Sequence, residues 1–210
     1  MRGLIYKEFS VFCKSIDKKM LAMAAAAVIL LLWQGGRYGG LVASIMFAIT
    51  ISVQNVMSFV SDDRAGWKKY QMAMPVSSFL VVASKYIAVV CTMGISILGS
   101  IGLNVLSSVI FHSFEVSVWG FAVFMSVFIP LVWTGVCLPL TYWFGIQSAQ
   151  AMGMFIIIPV FYLIKYFEDG AGFSAMAESL ACYFWAAGMV GVVVFTASMW
   201  ISVMGYARRK

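Results

Sequence analysis

The chain has 210 residues, 63% of them hydrophobic and only 10% charged, with a mean hydropathy of +0.97 and a formal net charge of +6. These proportions lie well outside the range of water-soluble globular domains and place the chain among integral membrane proteins. The positive balance reports topology and attraction to anionic lipid headgroups, and is not read as nucleic-acid binding.

Residues 1–18 come first. Leu4, Ile5, Phe9, Phe12, Cys13 and Ile16 recur at helical spacing while Lys7, Lys14 and Lys18 fall elsewhere. This pattern predicts an interfacial amphipathic helix, either a plain surface anchor or a partner contact. Six apolar runs follow, and a backbone in lipid satisfies its own hydrogen bonds only as helix or closed barrel, so each is read as a spanning helix. The expected spans are Lys19 to Gln34, Gly40 to Val60, Leu80 to Phe111, Val118 to Leu140, Ala149 to Phe167 and Leu180 to Met204. The first is short: Met20 to Trp33 rises only about 21 Å. The stretch after it, Gln34 to Gly40, lacks the small-x-small pattern that a signal peptidase cuts, so cleavage is not expected. No linker or composition break marks a second domain, and residues 1–210 read as a single transmembrane domain.

Lys and Arg fall unevenly if the chain alternates sides. Twelve of the fourteen lie before the first span, around the Ser61 to Ser78 loop or at the C-terminus, and only Arg37 and Lys165 lie opposite. Because positive residues are retained in the cytoplasm, both termini and that loop are expected there, with Glu115, Glu168, Asp169 and Glu178 outside.

Few groups could perform chemistry. Cys13, Cys91, Cys137 and Cys182 are dispersed and read as packing residues, and a single His112 offers no metal cluster. No phosphate-binding GxxxxGK[ST] motif occurs, so the chain is not expected to be an enzyme and any ATP-driven function borrows its engine. Gln54, Asn55, Asn104, Gln147 and Gln150 are the carboxamides in or beside spans, read first as interhelical glue. Pro130, Pro139 and Pro159 are expected to kink their helices, and Ser96, Gly99, Ser100 and Gly102 to allow close helix contact. The aromatic and Met residues on the spans would suit a cavity for amphipathic cargo, but such residues line lipid and pack helices in any membrane protein, and that is the reading taken.

The interior stretch richest in charge, Ser61 to Ser78, is where function is expected. Asp62 and Asp63 suit the N-terminal end of a short helix through Gly66 to Met74, with Trp67 and Tyr70 three apart, and Pro75 stops it. Ser77 and Ser78 suit the cap of the next helix, whose Lys85 and Tyr86 are expected at the membrane boundary, the lysine stem snorkelling. A solvated loop with an aromatic belt anchor is the plainer reading. The order Asp62, Asp63, Gly66, Trp67, Tyr70, then Pro75, Val76, Ser77, then Ser84, Lys85, Tyr86 resembles the second-to-third-span loop of small bacterial ABC type-2 exporter permeases. Met74 and Ser78 depart from that pattern. The opening Gly3 to Phe9 and the stretch Pro139 to Gly145 resemble the same family, although Trp143 and Gln147 leave the second uncharged.

The resemblance implies an all-α membrane fold of six spans, with an N-terminal elbow helix (1–18) and a cytoplasmic coupling helix (61–78). It implies a permease that pairs with two ATP-binding cassette ATPase subunits and a second permease, a like copy or a paralogue. It implies no cofactor in this chain, ATP and magnesium belonging to the partners. The ATPase-coupling residues would be Asp62, Asp63, Gly66, Trp67, Tyr70 and Pro75. Amphipathic or hydrophobic cargo, peptides foremost, would leave a bacterium through its cytoplasmic membrane. The alternative is a membrane sensor or assembly scaffold that docks a cytoplasmic partner through the same loop.

Overall fold

A computed structural model of the protein describes residues 2–15, 18–67, 70, 76–112, 114–145, 158 and 173–209. Six helices carry the described residues, with no strand among them: α1 (Arg2–Ser15), α2 (Lys18–Gly35), α3 (Gly39–Arg64), α4 (Ser78–Phe111), α5 (Val116–Phe144) and α6 (Phe173–Arg209). A 3-10 turn, Gly36–Tyr38, joins α2 to α3.

Among the described residues, four helices are long and apolar enough to cross a bilayer: Gly39–Asp62, Ser78–Phe111, Val116–Phe144 and Trp185–Arg208. They coincide with the expected second, third, fourth and sixth spans. α2 forms where the first span is expected, but its apolar part, Ala22–Gln34, is shorter than a full crossing. The expected fifth span falls outside the described residues except Ile158, and Pro159 lies outside them too. With 34 residues, α4 rises about 51 Å, well past a hydrocarbon core of about 30 Å, so one end projects beyond it or the helix tilts.

α5 is the hub and packs against α3, α4 and α6. It runs unbroken through Pro130 and Pro139. One apolar cluster joins Leu41, Ile45 and Ala48 of α3 to Val118, Phe121 and Ala122 of α5. A second joins Val81, Val82 and Val89 of α4 to Leu131 and Leu138 of α5, with Tyr206 of α6. Cys137 is buried beside Val56 and Trp133, the packing position expected of it, whereas Cys13 and Cys91, expected to pack likewise, are exposed.

Amides and hydroxyls tie α3 to α4. Asn55 Nδ2 donates to Thr92 Oγ1 at 2.8 Å while the threonine hydroxyl lies 3.1 Å from Asn55 Oδ1. Asn104 Nδ2 donates to Ser44 Oγ at 2.8 Å. Both asparagines therefore act as interhelical glue, the arrangement that polar groups seek where lipid offers no partner. Gly40 brings the two helices together: a Cβ there would lie 2.7 Å from Ser107 Cβ.

Candidate functional site

α3 continues beyond its apolar stretch and carries Asp62 and Asp63 in its last turn, so these residues close one helix and do not open the next. Ala65 N–H donates to Ser61 O at 3.0 Å, and Gly66 then adopts φ +63, the left-handed turn that ends helices and that a glycine enters without a Cβ penalty. Trp67 and Tyr70 beyond it are helical, their ring centroids 5.5 Å apart, and Tyr70 is exposed. Pro75 and the expected remainder of this helix lie outside the described residues. Ser77 is the N-cap of α4: it is extended at φ −69, ψ 146, and its hydroxyl accepts from Leu80 N–H at 3.4 Å.

Next to this turn sits a ring of four charges. Glu8 Oε1 accepts from Lys7 Nζ at 3.0 Å and Glu8 Oε2 from Lys85 Nζ at 3.0 Å. Asp62 Oδ2 accepts from Lys85 Nζ at 2.9 Å, and Asp62 Oδ1 accepts from Lys7 Nζ. Each carboxylate bridges both ammonium groups with a different oxygen, so signs alternate around the ring and its net charge is zero. Neutrality and full pairing let such groups leave water. The side chains of Glu8 and Lys85 are only 8% and 7% exposed. Ser58 Oγ accepts a further bond from Lys85 at 3.3 Å, and the Phe59 ring lies 4.0 Å from the same ammonium.

The ring joins three elements, α1 through Lys7 and Glu8, α3 through Asp62, and α4 through Lys85. It also reaches the loop, because Lys7 Nζ lies 4.9 Å over the Trp67 ring. Lys85 therefore does not snorkel to solvent; its ammonium turns inward to a carboxylate on each side. Tyr86, expected beside it at the boundary, is also buried, and its hydroxyl meets Ser198 Oγ at 2.6 Å and Ser202 Oγ at 2.9 Å on α6. Consecutive residues of α4 thus grip opposite neighbours. A cavity of about 20 Å³ lies under Glu8 and Lys85, lined by Asn55, Ser58 and Thr92 and, over most of its surface, by apolar side chains such as Phe9, Phe12 and Leu138, with room for one water molecule.

Of the expected coupling residues, Asp62 joins the charge ring, Gly66 makes the turn, and Trp67 and Tyr70 follow it as a ring pair. The side chain of Asp63 is outside the described residues. The sequence marks Lys7 only as a charge off the apolar face of the first helix, and does not mark Glu8. One signal bore on them: a lysine within a long apolar helix needs an acidic partner, and Glu8 is the sole acidic residue among the first sixteen.

The family model described as ABC-2 family transporter protein matches residues 3–207. No curated protein and no solved structure matches the chain.

Proposed function

Since the chain belongs to the ABC-2 transporter family and is a membrane permease component whose ATPase resides elsewhere, we propose that it is the membrane half of an ATP-driven exporter for amphipathic cargo. In this reading two cassette ATPases and a second permease, a like copy or a paralogue, complete the assembly. Peptides are the foremost cargo, and the protein sits in a bacterial cytoplasmic membrane with six spans and both termini inside. ATP and its magnesium stay with the partner subunits.

The observation that carries the reading is the continuity from Trp67 into the bundle. The Trp67–Tyr70 segment is the coupling helix, seated on the ATPase with Tyr70 as an aromatic anchor. When the ATPases close, force on this segment passes from the Trp67 ring to Lys7 and into the charge ring, which moves α1, α3 and α4 together. Tyr86 hands the same displacement to α6 through Ser198 and Ser202. α1 is thus the connecting elbow, and the ring is the joint between loop and spans.

The test is an affinity pull-down of the tagged chain from mild detergent. Co-recovery of a P-loop ATPase, lost in Trp67→Ala with Tyr70→Ala, is the expected result. Recovery of the folded chain without an ATPase would overturn it and favour the sensor or scaffold.

A further inference from the structure

α5 packs against three neighbours, yet among the described residues it gives no side chain to the charge ring, whose members come from α1, α3 and α4. One residue of α5, Tyr142 in the Pro139 to Gly145 stretch, comes close to it. Its side chain is buried, and its hydroxyl has no hydrogen-bond partner among the described residues. A hydroxyl left so has given up its bonds to water for nothing, which calls for an explanation. Phe59 supplies the setting. Its phenyl meets the Tyr142 ring edge to face at 5.3 Å, and the Lys85 ammonium lies 4.0 Å from the same phenyl. One aromatic side chain thus touches both the phenol and a member of the charge ring. The carboxylates of Glu8 and Asp62 also lie near enough to act on Tyr142 electrostatically.

Lys7 is the member of the charge ring most easily drawn out. Its side chain is 20% exposed, against 7% to 13% for the other three, and its ammonium already lies over the Trp67 ring. When Lys7 leaves, Glu8 Oε1 and Asp62 Oδ1 each lose a donor, and two carboxylates are left to share the Lys85 ammonium. A carboxylate held in a buried site in that condition needs another donor. A phenol supplies one without adding charge. We infer that Tyr142 is the reserve donor of the charge ring: its hydroxyl bonds a carboxylate oxygen that Lys7 vacates, and so ties α5 to the junction in the state where Lys7 has been pulled away. The junction then has two settings, one closed by the Lys7 ammonium with Tyr142 idle, the other closed by the Tyr142 hydroxyl. Displacement of Lys7 through Trp67 rests on the exporter reading; the reserve bond itself does not, and it can be measured on the chain alone.

The test is a double-mutant cycle over Lys7 and Tyr142, read as the unfolding midpoint Tm of the full chain purified in one mild detergent. Tyr142→Phe removes an unpartnered hydroxyl and should leave Tm unchanged or raise it. Lys7→Met should lower it. In the Lys7→Met background the hydroxyl has a carboxylate to hold, so adding Tyr142→Phe should lower Tm by about 5 °C beyond the sum of the single changes, the weight of one hydrogen bond to a charged group in a chain of this size. Ser100→Ala is the control. Ser100 carries another buried hydroxyl without a partner among the described residues, about 22 Å along α4 from Lys85, and its loss should add to that of Lys7 with no excess. Should Lys7→Met not fold, Lys7→Gln takes its place with the same sign expected. A double variant that fails to fold while both single variants do is the expected result in its extreme form. Additivity of Lys7 and Tyr142 within about 1 °C, or an equal excess with Ser100→Ala, would overturn the assignment.

Discussion

Glu8 and Lys85, 77 residues apart in the chain, meet at 3.0 Å in a site from which both side chains are almost wholly withdrawn from solvent. The contact binds the first helix of the protein to the start of its longest expected membrane-crossing helix. It does so through charge, in a chain where charge is scarce.

Removing one member of that pair leaves the other uncompensated. Glu8→Ala strands Lys7 and Lys85 on a single carboxylate and should cost about 3–5 kcal/mol. Lys85→Ala should cost as much. Replacing both, Glu8→Leu with Lys85→Met, leaves the Lys7–Asp62 pair balanced and should recover most of the loss. Thermal unfolding of the purified variants in one detergent checks all three.

Trp67 touches Lys7 at the rim of the ring, so its truncation should affect transmission far more than stability. A cation–aromatic contact at a partly exposed site contributes about 0.5–1 kcal/mol. Trp67→Ala should shift unfolding by no more than that while abolishing cargo-stimulated ATP hydrolysis by the reconstituted complex. Full stimulation in this variant would remove the loop from the coupling path.

The Tyr86 hydroxyl holds two serines of α6 at once. Tyr86→Phe leaves both without it and should destabilise by about 1 kcal/mol, near the upper part of the range for such bonds between membrane helices. Ser198→Ala or Ser202→Ala alone should cost less, since Tyr86 keeps its remaining partner. A double-mutant cycle over Tyr86 and Ser198, read by unfolding, measures the coupling directly.

Gly40 has no room for a side chain. An added methyl would meet Ser107 Cβ at 2.7 Å and Asn104 Oδ1 at 3.2 Å, so Gly40→Ala must separate α3 from α4 and strain the bond from Asn104 to Ser44. The expected loss is about 1–3 kcal/mol. Gly102→Ala, with no atom within 4 Å of the new carbon, is the control and should be near neutral.

Legibility from sequence followed the kind of signal. Apolar length located α2, α3, α4, α5 and the apolar part of α6, because hydrophobic runs report lipid directly. Ser77 was legible as a cap because its role depends only on the residues beside it. Asp62 and Asp63 suit a helix start by residue type but sit in the last turn of α3: the helix keeps its hydrogen-bond ladder into polar sequence, and hydropathy does not show where a helix stops once it leaves lipid. Lys85 looked like a boundary lysine because its partners lie 77 and 23 residues away. Tyr86 looked like an interfacial aromatic for the same reason, its serines being more than a hundred residues downstream. Long-range pairing leaves no local trace in one sequence.

The four-charge ring also imposes an order on biogenesis. Glu8 and Lys7 leave the ribosome first, Asp62 follows after α2 and most of α3, and Lys85 emerges last with the opening turns of α4. Until then Lys7 faces two carboxylates and one of them lacks a cation. The ring closes only when α4 enters the membrane in the same sense that α3 left it; an α4 inserted the other way round carries Lys85 to the opposite face, 30 Å or so from its partners. A correctly threaded chain is therefore distinguished from an inverted one by a buried, neutral junction, and α1 settles against α3 and α4 only after α4 has been inserted.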